Sequence, residues 1–106
     1  MSRPVQLHTD LVIDPAREIE ALHYFEVVYR PTASRFAGYV DLRLLKLQAA
    51  LLGSPPPGIN YRFSITFTSE ALRQQWVASD AHQKVWGKFE TFLTKRDYDF
   101  LLFEVV

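Results

Sequence analysis

Between Ile59 and Leu93 the chain changes its hydrophobic period, and few folds accommodate that change. From Ile59 to Phe67 apolar and polar residues alternate, with Tyr61, Phe63, Ile65 and Phe67 on one face. That two-residue period belongs to a strand buried on one side. Ser69 then offers a helix N-cap, and Ala71, Leu72 and Trp76 follow at helical spacing. A second helix start stands at Ser79-Asp80, with Gln83 three residues after Asp80 as a candidate capping box. His82, Val85, Trp86, Phe89, Phe92 and Leu93 next share a single helical face.

The segments on either side complete the pattern. Val5 to Ile13 alternates, with Val5, Leu7, Leu11 and Ile13 on one face and Gln6, His8, Asp10 and Val12 on the other. Asp14-Pro15 is a strong helix start. This first helix is predicted to stop near Arg30, because Pro31 lacks the N–H needed to continue it. Ile19, Leu22, Phe25 and Val28/Tyr29 form its predicted inner stripe. Its second half is apolar almost all round, which predicts cover on more than one side. Pro31 to Gly38 reads as a loop and Tyr39 to Gln48 as a strand. In that strand Tyr39, Leu45 and Leu47 share one face, and Val40, Leu42 and Leu44 the other. Ala49 to Gly58 is a turn stiffened by three prolines. Tyr98 to Val106 is a last strand. The order β-α-β-β-α-β predicts an α+β, ferredoxin-like fold over residues 1–106, one domain with two helical layers' worth of cover on one face of a four-stranded antiparallel sheet.

The second sheet face limits the assembly. Leu45 and Leu47 in one outer segment, and Leu101, Phe103 and Val105 in the other, are apolar opposite residues that are also apolar. A lone two-layer unit would leave one set in water. A homodimer packed through its sheet faces is the predicted solution.

Composition removes several function classes. Lys and Arg number 12 and so do Asp and Glu, with no basic run; a nucleic-acid partner needs such a patch. There is no cysteine, which excludes disulfides, thiolate nucleophiles and cysteine-based metal sites. Neither H-x-x-x-H nor H-E-x-x-H spacing occurs, and the four glycines form no phosphate-binding loop. No apolar run has the length of a signal or a membrane span. The resulting expectations are a cytoplasmic location, no membrane, no metal and no cofactor.

The stretch Tyr61 to Trp86, YRFSITFTSEALRQQWVASDAHQKVW, resembles the antibiotic biosynthesis monooxygenase-like family of the dimeric α+β barrel superfamily. The shared pattern is a strand beginning with Tyr, a Ser-Glu-Ala-Leu helix start, a Trp or His, then Ser-x-x-His and an aromatic. The resemblance implies a homodimer with a pocket between sheet and helices in each subunit. It also implies cofactor-independent oxygenation, haem degradation or small-molecule isomerisation as candidate activities. Trp76 matches the aromatic of the first of the paired helices, and His82 the histidine of the Ser-x-x-His turn. Trp86 falls where the haem-degrading branch places an axial histidine. Tryptophan cannot ligate iron, so haem degradation is disfavoured. Asn60 does not match the asparagine of the quinone-forming oxygenases.

These residues define the candidate site. His82 would be the base, since histidine titrates near neutrality, and Arg62 the partner of a developing oxyanion. Trp76 and Trp86 would wall a flat aromatic or quinone-like substrate, with Tyr61, His8 and Ser64 completing the lining. Each has a plainer reading: the tryptophans as core, His82 as a satisfied helix-start residue, and His8, Asp10, Arg62 and Ser64 as a solvated or dimer-contact face. A non-catalytic small-ligand binder and a purely structural dimer therefore stand beside the monooxygenase reading.

Overall fold

The computed structural model describes residues 3–106. Its elements are β1 (Val5–Leu11), α1 (Glu18–Tyr24), α2 (Arg30–Ser34), β2 (Tyr39–Lys46), β3 (Tyr61–Phe67), α3 (Glu70–Ala78), α4 (Asp80–Glu90) and β4 (Leu101–Glu104). The four strands form one antiparallel sheet in the order β2-β3-β1-β4. This is the ferredoxin-like arrangement that the order of periods predicts. Leu11, Leu42, Tyr61, Phe63, Ile65 and Phe67 point from the sheet into a core completed by Ala21, Phe25, Tyr29, Trp76, Val85 and Phe89. Among the described residues no helix is long and apolar enough to cross a membrane.

The predicted stop at Pro31 does not occur. A 3-10 turn (Pro15–Arg17) leads into α1, a π turn (Phe25–Tyr29) follows it, and α2 carries the helix through Pro31 to Ser34. In an α-helix the proline ring would collide with the carbonyl four residues back. The wider π turn lies in that position: Arg30 N–H bonds to Phe25 O, five residues away, and the clash is relieved.

The same turn explains a second departure. The buried helical residues are Ala21, Phe25, Tyr29 and Ala33, while Ile19 is 86% exposed and Leu22 and Val28 are 38% exposed. A strict four-residue repeat drifts by roughly 40° per step on an ideal α-helix. A π turn rotates less per residue, so it holds this repeat on one side. The predicted stripe assumed a uniform helix; it placed Phe25 and Tyr29 correctly and Ile19, Leu22 and Val28 wrongly. Val27 and Val28 are likewise partly open to solvent, so the helix is covered on one side only.

A bulge in β2 between Tyr39 and Asp41 changes its face assignment. Tyr39 pairs with Phe67 and joins the inward side with Leu42 and Leu44. Strict alternation had placed Tyr39 with Leu45 and Leu47. Gly38 just before it has φ +86, and a Cβ there would lie 2.6 Å from Leu72 Cδ1; only glycine fits. At α4 the capping box does not form. Ser79 Oγ caps the helix by accepting from His82 N, and Gln83 Nε2 instead donates to Val77 O.

All four strands are shorter than their hydrophobic periods. β1 stops at Leu11, and Asn60 takes over the pairing that the next residues need. Its Oδ1 accepts from Ile13 N and its Nδ2 donates to Ile13 O, both at 2.8 Å. Ile13 is fully buried, so no water can replace these bonds. An unsatisfied buried backbone group costs about 1–3 kcal/mol. Asn60→Ala should therefore destabilise the fold by about 2–4 kcal/mol in urea unfolding, and Asn60→Asp, which keeps only the acceptor, should also be destabilising.

Candidate functional site

Between sheet and helices aromatic rings pack against one another. Tyr29 packs against Phe63, Trp76, Trp86 and Phe89 with ring centroids 5.5–6.4 Å apart. Phe36 closes on Trp76 at 4.8 Å, and Trp76 is only 2% exposed. The resemblance implies a pocket on this side of the sheet, which these aromatic side chains line. The large cleft, about 630 Å³, lies on the opposite face of the sheet. Its walls are β1, β4 from Leu101 to Glu104, Arg62 of β3, the chain from Lys95 to Asp99, and Pro56-Pro57 of the proline turn.

That opposite face is built by alternation and register. Gln6, His8 and Asp10 of β1 pair with Thr66, Ser64 and Arg62 of β3. Six polar side chains therefore occupy the centre of the face. Leu45 and Leu47 flank them beside β2, and Leu101, Phe103 and Val105 beside β4, all at least 42% exposed. The predicted second apolar face is thus confined to its two margins.

Within the centre one histidine is fixed by a relay. Gln6 Nε2 donates to Thr66 Oγ1 at 2.8 Å, which turns Gln6 Oε1 toward His8. His8 Nε2–H donates to that oxygen at 2.6 Å. The amide oxygen can only accept, so the proton sits on Nε2 and the Nδ1 lone pair is left as the basic site. Phe103 contacts the ring edge-on at 5.3 Å. Burial, then the Arg62 charge, push the His8 pKa below its usual value, with Asp10 acting against them. His8 is therefore neutral near pH 7. Arg62 is held by Asp10 through two bonds, Nε to Oδ1 at 2.7 Å and Nη2 to Oδ2 at 3.2 Å.

The seven candidate residues separate into different environments. His8 and Arg62 line the large cleft. Ser64 is paired with His8 but is buried and outside the cleft lining. Tyr61 points inward and donates its hydroxyl to Glu18 Oε2 at 2.5 Å, where Lys46 also binds; burial first, then this bond, push its pKa up to about 12. Trp76 is core. Trp86 is half-buried against Tyr98 and Phe100. His82 lies beside Trp76, ring centroids 5.1 Å apart, with a buried Nδ1 that has no partner. Burial lowers its pKa, the Val77 carbonyl opposes this, and Arg73 adds to the lowering. His82 and Arg62 thus stand on opposite sides of the sheet and do not form one site. Gln6, the residue that sets the His8 tautomer, was visible only as the polar neighbour two positions away on the same strand face.

No family model matches the sequence, and no curated protein matches it either. Solved structures do match in fold. The cofactor-independent oxygenase SnoaB of Streptomyces nogalater, in a single-residue variant, aligns with a TM-score of 0.75 at 14% identity, over 98% of this chain and 94% of SnoaB. A dimeric ferredoxin-like protein of unknown function from Jannaschia gives 0.77 at 15% identity, over 96% and 99%. The hydroxynitrile lyase of Passiflora edulis gives 0.76 at 11% identity, over 100% and 96%. Candidate antibiotic biosynthesis monooxygenases are also among the structural neighbours. The fold is that of these proteins; an oxygenase and a lyase share it, so it does not select a reaction.

The environment of His8 gives a pH test. A histidine whose pKa is lower in the folded than in the unfolded state disfavours folding once protonated. Stability should be full above the unfolded value of 6.5 and fall as pH drops through the window below it. An NMR titration should place the His8 midpoint below 6.5, with the Nε2–H tautomer above it. Arg62→Met, which removes a lowering charge, should raise that midpoint. A wild-type midpoint at or above 6.5 would contradict the assignment.

Proposed function

We propose that the chain is a homodimeric, cofactor-independent enzyme of the monooxygenase type, acting on a small aromatic or quinone-like substrate in the open-face cleft. The observation that carries this reading is His8: its Nε2 bonded to Gln6, its Nδ1 left as the basic site, and Arg62 lining the same cleft. His8 then takes the role of base that the sequence pattern offered to His82. Such an enzyme must remove a proton from a carbon made acidic by neighbouring aromatic or carbonyl groups. His8 accepts that proton, and Arg62 lies beside the resulting anion. The electron-rich carbanion reacts with dioxygen; a CH2 group becomes C=O, one oxygen atom stays in the product and the other leaves as water. No external reductant is consumed. The fold shared with SnoaB supports the reading.

The homodimer would form through the open sheet face. A two-fold axis between stacked sheets brings margin to margin and centre to centre. Leu45, Leu47, Leu101, Phe103 and Val105 would be buried, and the polar centres would enclose a chamber that excludes bulk water. That a neighbour of the same fold from Jannaschia is dimeric supports a homodimer.

One observation favours the alternative of a non-catalytic ligand binder. Arg62 already directs two donors at Asp10, which leaves it less free to stabilise a new anion. Dioxygen uptake with an anthrone, whose CH2 lies between two aromatic rings, measured above the protein-free rate, separates the two. His8→Ala should lower kcat about 100-fold or more, whereas a binder shows no uptake in the wild type. Phe103→Glu should convert a dimer to a monomer in analytical ultracentrifugation; a wild-type monomer would remove the enclosed chamber and with it this site.

A further inference from the structure

The cleft exists because β4 abandons β1 partway. β4 pairs with Val5 to His8, ending at His8 opposite Leu101. The chain before it meets β1's continuation again at Ile13 opposite Leu93, and Thr94 N donates to Val12 O. From His8 to Ile13 the first chain advances five residues, while from Leu93 to Leu101 the second advances eight, three more. The surplus arches outward as residues 95–100. Asp10 is left facing the gap. Pro4 and Val12 carbonyls accept bonds from the C-terminal chain, and every second residue of a strand presents its N–H and C=O to the same edge. The backbone groups of Asp10 therefore point at the arch, and no residue of the arch bonds to them.

The gap is held open. The Tyr98 hydroxyl is hydrogen-bonded to Glu90 on α4, and its ring packs edge-on against Trp86 at 5.8 Å and Phe100 at 5.2 Å. This anchor keeps the arch from settling back onto β1. Asp10, Lys95, Asp97, Tyr98 and Asp99 all line the cleft.

We propose that the cleft recognises ligands through one extended amino-acyl residue flanked by two amides, whose own N–H donates to Asp10 O and whose own C=O accepts from Asp10 N–H, filling the missing rung of the sheet. Main-chain pairing supplies the affinity in strand addition, and neighbouring pockets supply the selectivity. His8 and Phe103 would then face the group attached next to the amide. The inference rests on the open-face cleft being the ligand site and adds an amide-bearing group to the ligand that it takes.

The probe is N-acetyl-L-phenylalanine N-methylamide, added to the full chain and followed by amide NMR. The Asp10 N–H should shift and its hydrogen exchange should slow. The analogue methylated at the phenylalanine nitrogen, which cannot donate to Asp10 O, should bind roughly three- to tenfold more weakly, the loss of one hydrogen bond. Equal affinity of the two probes, an unmoved Asp10 amide, or no binding up to the probe's solubility limit would overturn the proposal. If the probe is ignored while His8→Ala abolishes dioxygen uptake, the enzyme reading stands and the amide proposal falls. If the probe seats on Asp10 in a protein that takes up no dioxygen, the amide proposal stands and the enzyme reading falls.

Discussion

The register between β1 and β3 is the constraint on which the rest of the molecule depends. It sets Gln6 against Thr66, His8 against Ser64 and Asp10 against Arg62. Because strand side chains alternate, a slip of β3 by one residue would send Arg62, Ser64 and Thr66 into the core and its inward aromatics into water. The inward face holds the register through Tyr61, Phe63, Ile65 and Phe67. At the end of β1 the Asn60 carboxamide bonds to both backbone groups of Ile13 and fixes where pairing stops. The Arg62–Asp10 pair adds little by comparison, since exposed ion pairs contribute about 0–1 kcal/mol. Its effect is local: it sets the charge that His8 experiences.

Aromatic packing decides on which side of the sheet chemistry can occur. Tyr29, Phe63, Trp76, Trp86 and Phe89 meet edge to face, a geometry that adds to simple area burial. These rings occupy the side of the sheet that the helices cover. The other face has polar residues at its centre, apolar ones at its margins and a gap along one edge. The two halves of the site suggested by residue types, His82 with Trp76 and His8 with Arg62, are therefore separated by the thickness of the sheet.

Element order, strand periods, the Ser69 helix cap and the sharing of one surface by His8, Asp10, Arg62 and Ser64 were legible in the sequence, because each follows from local period or local cap chemistry. The continuation of the helix through Pro31 was not. It depends on a π turn whose widening answers a steric clash and leaves no compositional mark. The bulge that turns Tyr39 inward was hidden for a similar reason: alternation presupposes unbroken pairing, and the fit of Gly38 against Leu72 breaks it. The His8 tautomer depends on a relay through Thr66, which is 60 residues from Gln6. The Asp10 gap arises from a three-residue surplus in pairing between the two ends of the chain, and no local pattern encodes such a difference.

The π turn also has a meaning in the history of the chain. A turn bonded across five residues holds one residue more than an α turn, so it accommodates a change of length by one while both flanking helices keep their places. Here the added length lies between Phe25 and Tyr29, two core aromatics whose rings stack 6.0 Å apart. Single-residue insertion or deletion in this helix has a defined point at which it can be absorbed, and the sheet need not register it. Related chains that differ in length between their first two strands are best aligned with the gap at this turn, not in the loop before β2.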